Sequence, residues 1–489
     1  MTSLSKTISA LLLILCLYSA MTLKNNKVLV KANPSTINVP YDYPTIQEAI
    51  NNANPGDIIF VSKGIYNESI VINKSITLIG EDRENTIIDG KATGNVISIR
   101  ASSVNINGFT IKNSSPVIGC GIFIERSEDV IVCNNNVVNN GIGIQITFCS
   151  KSQIYENTIS ANYMGIQIFY SSSNNTIYRN AICNNDFGIY IYYYSIGNLF
   201  YENEIYGNEW GIYLSLYCNN NFFYHNNFVD NVEYNIYAEQ TANTWCYGGE
   251  GNYWDDYEGE DLDKDGIGDT PYVITGKNKD YYPLMGRYYT FAVPFKGENY
   301  RVAIVSNSTI SNFTFQFAAE LRAKIILFSA NNTGDSVGFS RVVIPKGLMG
   351  NVHAVIVNEE EVNATLINAT DVKNAYLYIK YSGNCSIKIV YLELLDLYYQ
   401  LLDKIHGLNA TNNMLVEKFN ALNETLHNFL MDWSDFQKLL FNLNASYQDQ
   451  AQNLKYLAYV FTAAIAIYIM ITIYLSKVAH TKHGRIVES

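Results

Sequence analysis

The sequence predicts a mainly β protein: a right-handed parallel β-helix, then a β-sandwich, then a long α-helical coiled-coil stalk and one transmembrane helix. Three observations carry this. A repeat of 22–23 residues runs through the first half, a block of alternating apolar residues follows residue 287, and a heptad pattern then leads into twenty uncharged residues. At 489 residues, 48% hydrophobic and 16% charged, the chain is too long for one core and too apolar for disorder. A net charge of -12 and no long basic run before the extreme C-terminus exclude nucleic acid as a partner.

The chain opens with a predicted signal peptide, residues 1–24, in which Lys6 precedes an apolar run from Ile8 to Ala20 too short to span a bilayer. The β-helix is placed at 36–250. Gly121-Ile122, Gly143-Ile144, Gly165-Ile166, Gly188-Ile189 and Gly211-Ile212 mark its turns. Two asparagines stand upstream at fixed offsets: Asn135 and Asn140, Asn157 and Asn162, Asn180 and Asn185, Asn203 and Asn208, with Asn226 and Asn231 extending both columns. Apolar residues alternate with period two between these markers, so each unit holds short strands and polar corners. Such a unit cannot bury its inner face alone. Stacking the turns buries the isoleucines, pairs the backbones and lets corner amides bond one another.

Residues Tyr41 to Gly90, with the short helix TIQEAINNA, a PGD turn and a coil ending in LIG, resemble the N-terminal turns of pectin-lyase-like β-helices. The repeat that follows resembles the NosD-type β-helix, also called the periplasmic copper-binding or carbohydrate-binding and sugar-hydrolase repeat. Together the resemblances cover residues 41 to 285 and imply a polysaccharide-facing or copper-handling role. For copper the exported body offers only His225, His353, His406 and His427, far apart in sequence, so no residue is assigned to it. Lyases and esterases need acids and an arginine on one groove, whereas Glu156, Asp186, Glu202, Glu204, Glu209 and Asp230 read as scattered over different columns.

Two aromatic columns are predicted to point outward: Tyr155, Tyr178, Tyr201 and Tyr224, and separately Tyr190, Tyr213 and Tyr237. Rings about 4.8 Å apart form a strip on which sugars stack. An equally simple reading makes them strand-favouring residues on an exposed sheet.

Residues 251–286 form an acidic closing motif that resembles the end of NosD-type repeats. Asp261, Asp263 and Asp265 alternate, then Gly266, the Ile267 carbonyl and Asp269 follow, matching the first nine positions of a D-x-D-x-D-G calcium loop. Tyr272 replaces the closing Glu, so Asp255, Asp256 or Asp280 is needed to complete the shell, and calcium is expected as a structural cofactor. Residues 287–389 read as a β-sandwich resembling a module of archaeal-type surface proteins.

From 390 to 452 the period is seven. Tyr391, Tyr398, Ile405 and Asn412 begin one column and Leu394, Leu401, Leu408 and Leu415 the other, a coiled coil that predicts a homo-oligomer. Residues 456–475 read as a transmembrane helix and 476–489 as a basic cytoplasmic tail, leaving the body outside the cell. Glycosylation sequons agree, since Asn67, Asn73, Asn113, Asn174, Asn307, Asn312, Asn331, Asn363, Asn368, Asn384, Asn409, Asn423 and Asn444 all precede the span. Eight cysteines show no CxxC pair.

The order of parts predicts a membrane-anchored surface glycoprotein, structural (like a surface-layer anchor) or adhesive, whose partners are a surface-layer protein or a polysaccharide. An extracellular polysaccharide lyase or hydrolase is the second reading, and a NosD-like copper-handling protein the third.

Overall fold

The computed structural model describes residues 34–408 except 216, 321, 333–336 and 368–370, together with 421 and 424. The predicted signal, most of the predicted stalk and the whole of the predicted span lie outside the described residues. The chain divides into two units. One runs to Phe222 and includes Val229–Asn243; the other comprises Phe223–Phe228 and the residues from Thr244 onward.

The first unit is a parallel β-helix that opens with the strand Thr36–Val39 and the helix Ile46–Asn52. The helix forms where TIQEAINNA was expected. The Thr45 hydroxyl accepts the Glu48 N–H, and the Glu68 carboxylate takes the Ile46 and Gln47 N–H groups, so the donors left over at the helix start are satisfied. Ile46, Ala49 and Ile50 are buried.

Each later turn adds one strand to each of three parallel sheets. Identical residue types meet in register. Ile122, Ile144, Ile166, Ile189, Ile212 and Ile236 pair down one sheet. Val132, Ile154, Ile177 and Phe200 pair down the second, and Val137, Ile159, Ile182 and Ile205 down the third. All of these side chains are buried, each worth about 1.5–3 kcal/mol of transfer free energy.

The Gly-Ile marker has a steric cause. A Cβ on Gly143 would lie 2.5 Å from the Gly165 carbonyl oxygen, and one on Gly165 would lie 2.5 Å from that of Gly188. Only glycine allows the turns to approach this closely. The column closes at Asn235, whose carbonyl crowds Gly211 in the same way.

The asparagines form the expected ladders. The backbone N–H and the side-chain amide of Asn140 both donate to Asn162 Oδ1, Asn162 repeats this onto Asn185, and Asn185 onto Asn208. Asn135, Asn157, Asn180 and Asn203 form the second ladder. Each Nδ2 in these two ladders also donates to main-chain carbonyls, as Asn162 does to Val137 and Ser160, so the amides are bonded at both their oxygen and their nitrogen. A third ladder, absent from the expected set, joins Asn175, Asn198, Asn221 and Asn243.

The second unit carries the acidic segment and the predicted sandwich. Phe228 pairs with Trp254, the rings stacked 4.4 Å apart, and Trp245 and Trp254 are buried. Beyond the hairpin Tyr272–Thr275 and Asn278–Asp280 lie two antiparallel five-stranded sheets. The first is ordered Arg287–Phe295, Glu298–Ser306, Gly338–Pro345, Asn374–Tyr381, Thr365–Ile367; the second Thr309–Ala318, Ala323–Asn331, Cys385–Leu392, Ala354–Val357, Glu360–Glu361. Val302, Ile304 and Ile379 of one sheet and Ile326, Phe328 and Ile387 of the other share a buried core.

The last strand runs to Leu392, past the expected boundary at 389. Tyr391, expected to open a heptad column, is instead buried in the sandwich core. The helix Glu393–Leu408 follows directly.

Candidate functional site: an aromatic face and an acidic loop

In-register pairing places the tyrosines ring over ring. Tyr155, Tyr178 and Tyr201 stack at 4.8 and 4.9 Å. Tyr190, Tyr213 and Tyr237 stack at 4.9 and 5.1 Å, nearly parallel. All six are half-buried rather than fully outward, and the rings stacked on them cover their faces. Tyr224 belongs to the second unit, where its ring lies 5.2 Å from that of Tyr247.

The second strip is one row of a wider face. Beside it Phe187, Trp210 and Tyr234 form a parallel column, and Phe187 and Trp210 meet Tyr213 edge-on. Tyr192 flanks the strip on the other side, 5.5 Å from Tyr190. Burial among these rings pushes the Tyr190 hydroxyl up to about 12. A hydrogen bond to Glu239 raises that of Tyr237.

Four of the six coil acids are not scattered as expected, because register collects them into two columns, whereas Glu204 lies in another column opposite Ala181. Glu156 and Glu202 lie above and below Arg179, with Glu202 2.5 Å from its Nε, and the guanidinium covers the Tyr178 ring. Asp186 and Glu209, with Glu233 one turn on, form the other column, one residue before Phe187, Trp210 and Tyr234. All three carboxylates are exposed.

In the acidic loop of the second unit, ligand oxygens of Asp261, Asp263 and Asp265 come within 4.8 Å of one another. Asp261 accepts the N–H groups of Asp265 and Gly266, and Asp265 that of Ile267. Gly266 turns at a φ of 82°. Burial raises the pKa of Asp261 and of Asp265. Asp269 binds the Leu262 N–H, which holds the loop closed. Three hard carboxylates on a tight turn fit a calcium ion better than a transition metal. Two proposed completing ligands are engaged elsewhere: Asp256 accepts the Tyr272 hydroxyl, and Asp280 accepts Asn252 and Trp254. Ile267 sits where the loop bridges to Leu284.

A buried ion-pair cluster lies nearby. Glu250 meets Arg341 Nη2 at 2.5 Å and His225 Nε2 at 2.8 Å. Burial opposes its charge, but the His225 hydrogen bond and the Arg341 guanidinium outweigh it and hold the carboxyl down at about 2.

Residues 50–259 match the family described as periplasmic copper-binding protein (NosD). The coil is a NosD-type β-helix. A 112-residue stretch is 34% identical to a cell surface glycoprotein of Methanothermus fervidus, over 22% of this chain and 18% of that one. The match thus spans under a fifth of that relative's length. Among solved structures, an alginate lyase from Paenibacillus is 15% identical over 45% of this chain and 93% of its own, with a TM-score of 0.31. A carrot pectin methylesterase is 13% identical over 44% and 83%, with a TM-score of 0.33.

Copper does not fit the described residues of this chain. Their single grouping of three metal-ligating side chains is the all-carboxylate one. His225 stacks on Tyr288 3.9 Å away while bonding Glu250, and His353 takes the Leu392 N–H and faces Asp396. Cys120, Cys133, Cys149, Cys183, Cys246 and Cys385 form no disulfide.

Of the sequons, Asn67, Asn73, Asn174, Asn307, Asn312, Asn331, Asn363 and Asn384 are exposed. Asn113 is half-buried and donates to Asp89. Asn368, Asn409, Asn423 and Asn444 lie outside the described residues.

Proposed function

We propose that this chain is a cell-surface protein whose NosD-type coil is a non-catalytic binding scaffold, with the Tyr190, Tyr213 and Tyr237 face as its glycan contact. The supporting observation is the stacking itself. Rings stacked about 5 Å apart over successive turns turn their faces to one another and line up their edges and hydroxyls as an amphipathic strip along which a sugar chain can pack and hydrogen-bond. Location at the surface is supported by the relative from Methanothermus fervidus and by the exposed sequons, which would carry sugars in an exported chain.

The helix Glu393–Leu408 leaves Leu394 and Leu401 45% exposed, the pattern of a seam awaiting a second copy. In this reading residues 393–452 form a stalk, 456–475 anchor it in a membrane and the body stands in a surface layer or adhesive coat. Calcium held by Asp261, Asp263, Asp265, the Ile267 carbonyl and Asp269 would clasp the acidic loop.

The test is retention of the full chain, in detergent, on immobilised polysaccharides. Wild type is expected to be retained and Tyr190→Ala with Tyr213→Ala to elute earlier. Equal retention of both, or release of reducing ends or unsaturated sugars, overturns the reading.

A further inference from the structure

The aromatic face has a charge as well as a shape. From Asn180 to Asn243 the sequence contains no Lys or Arg and seven Asp and Glu. Three of these, Asp186, Glu209 and Glu233, occupy one register position on successive turns, immediately before Phe187, Trp210 and Tyr234. The Trp210 N–H donates to the Asp186 carbonyl and the Glu233 N–H to the Glu209 carbonyl, which fixes the turns on each other. Rungs of a parallel ladder are about 4.8 Å apart, so the row carries three like charges along roughly 10 Å of the coil. Among the described residues none of the three is in an ion pair, in contrast to Glu156 and Glu202, which grip Arg179. Repulsion along such a row works against the fold and is relieved by a multivalent cationic partner.

We infer that the aromatic face takes a polysaccharide bearing free amino groups, its sugar rings along the outer edges of Trp210 and Tyr213 and its ammonium groups along the Asp186, Glu209 and Glu233 row. This rests on the glycan reading above and adds its charge class. Charge complementarity selects the occupant: a uronic-acid polymer laid on the same rings would bring its carboxylates against this row. A neutral glycan would gain the edge packing and hydrogen bonds alone.

The experiment compares retention of the full chain on chitosan, a neutral β-glucan and polygalacturonate at low and high salt. Wild type is expected to bind chitosan at least tenfold more tightly than the neutral glucan, with a preference that shrinks as salt rises, and to ignore polygalacturonate. Trp210→Ala is expected to weaken binding to both chitosan and the glucan. The triple variant Asp186→Asn, Glu209→Gln, Glu233→Gln is expected to bring chitosan down to the level of the glucan and leave the glucan unchanged; circular dichroism of both variants verifies the fold. Glucan and chitosan bound equally by wild type, or polygalacturonate bound as well, overturns the charge assignment while the glycan contact stands. Failure to bind any of the three overturns both.

Discussion

At the residue scale, the stability of the coil rests on side chains that each satisfy several backbone groups. Asn162 is the clearest: its Oδ1 receives the Asn140 N–H and amide, while its Nδ2 serves Val137 and Ser160 carbonyls. Replacing it by Ala strands these groups in a buried corner, at about 1–3 kcal/mol for each left unmet, so a loss of about 3 kcal/mol or more is expected in denaturant unfolding. The residue before it behaves oppositely. Ala161 holds a φ of 54°, which costs a side chain about 1–2 kcal/mol. Ala161→Gly is therefore expected to stabilise the coil by about 0.5 kcal/mol once the added chain entropy is subtracted, read as a higher unfolding midpoint. In the second unit, Glu250 has a folded pKa of about 2 against an ordinary 4.5. A depressed acid stabilises the fold above its unfolded value, and that contribution is lost as pH falls from 4.5 toward 2. Glu250→Gln is expected to flatten this acid limb and, at neutral pH, to cost about 3–5 kcal/mol by leaving the Arg341 charge buried without its carboxylate. Unfolding curves between pH 2 and 7 check both.

At the element scale, the turn is the unit that sequence and structure share. The Gly-Ile and Asn columns were legible because steric and hydrogen-bond demands at those positions admit one residue type. Gly165 shows why: a Cβ there meets the Gly188 oxygen and, at 3.1 Å, the Asn185 amide. Gly165→Ala is expected to destabilise the coil by about 1–3 kcal/mol, read as a lower unfolding midpoint. The third ladder was hidden because Ser152, not asparagine, stands on its preceding turn, where its N–H meets Asn175 Oδ1. The Phe187, Trp210 and Tyr234 column was hidden because its positions tolerate any bulky group: Met164 and Ile142 occupy them on earlier turns. The carboxylate row escaped notice because Glu233 falls 24 residues after Glu209, whereas Asp186 and Glu209 are 23 apart. The acidic loop was legible as a spacing, but not the engagement of Asp256 and Asp280 elsewhere, which depends on contacts distant in sequence. Calcium is expected to raise the melting temperature of the chain and EDTA to lower it. Asp263→Asn, at a carboxylate for which no backbone bond is seen, is expected to abolish that difference while folding normally.

At the scale of the whole molecule, the sandwich boundary was misplaced by three residues because Tyr391 satisfies a heptad and a buried strand position equally well. The exposed Leu394 and Leu401 belong to the seven-residue period that continues beyond the described helix. Leu394→Glu with Leu401→Glu is expected to convert an oligomer into a monomer in analytical ultracentrifugation of the detergent-solubilised chain; an unchanged mass would remove the stalk from the proposal.

The amide ladders also have a polarity. Each asparagine gives its N–H groups forward to the oxygen of the following rung, so every rung needs another beyond it. In the second unit the series Asn226, Asn252 ends at Asp280, whose carboxylate receives Asn252 and Trp254 and has no side-chain amide hydrogen to hand on. One oxygen in place of one nitrogen is thus a full stop: it lets a sequence of near-identical layers end at a definite count instead of inviting the next molecule to continue it as a fibre.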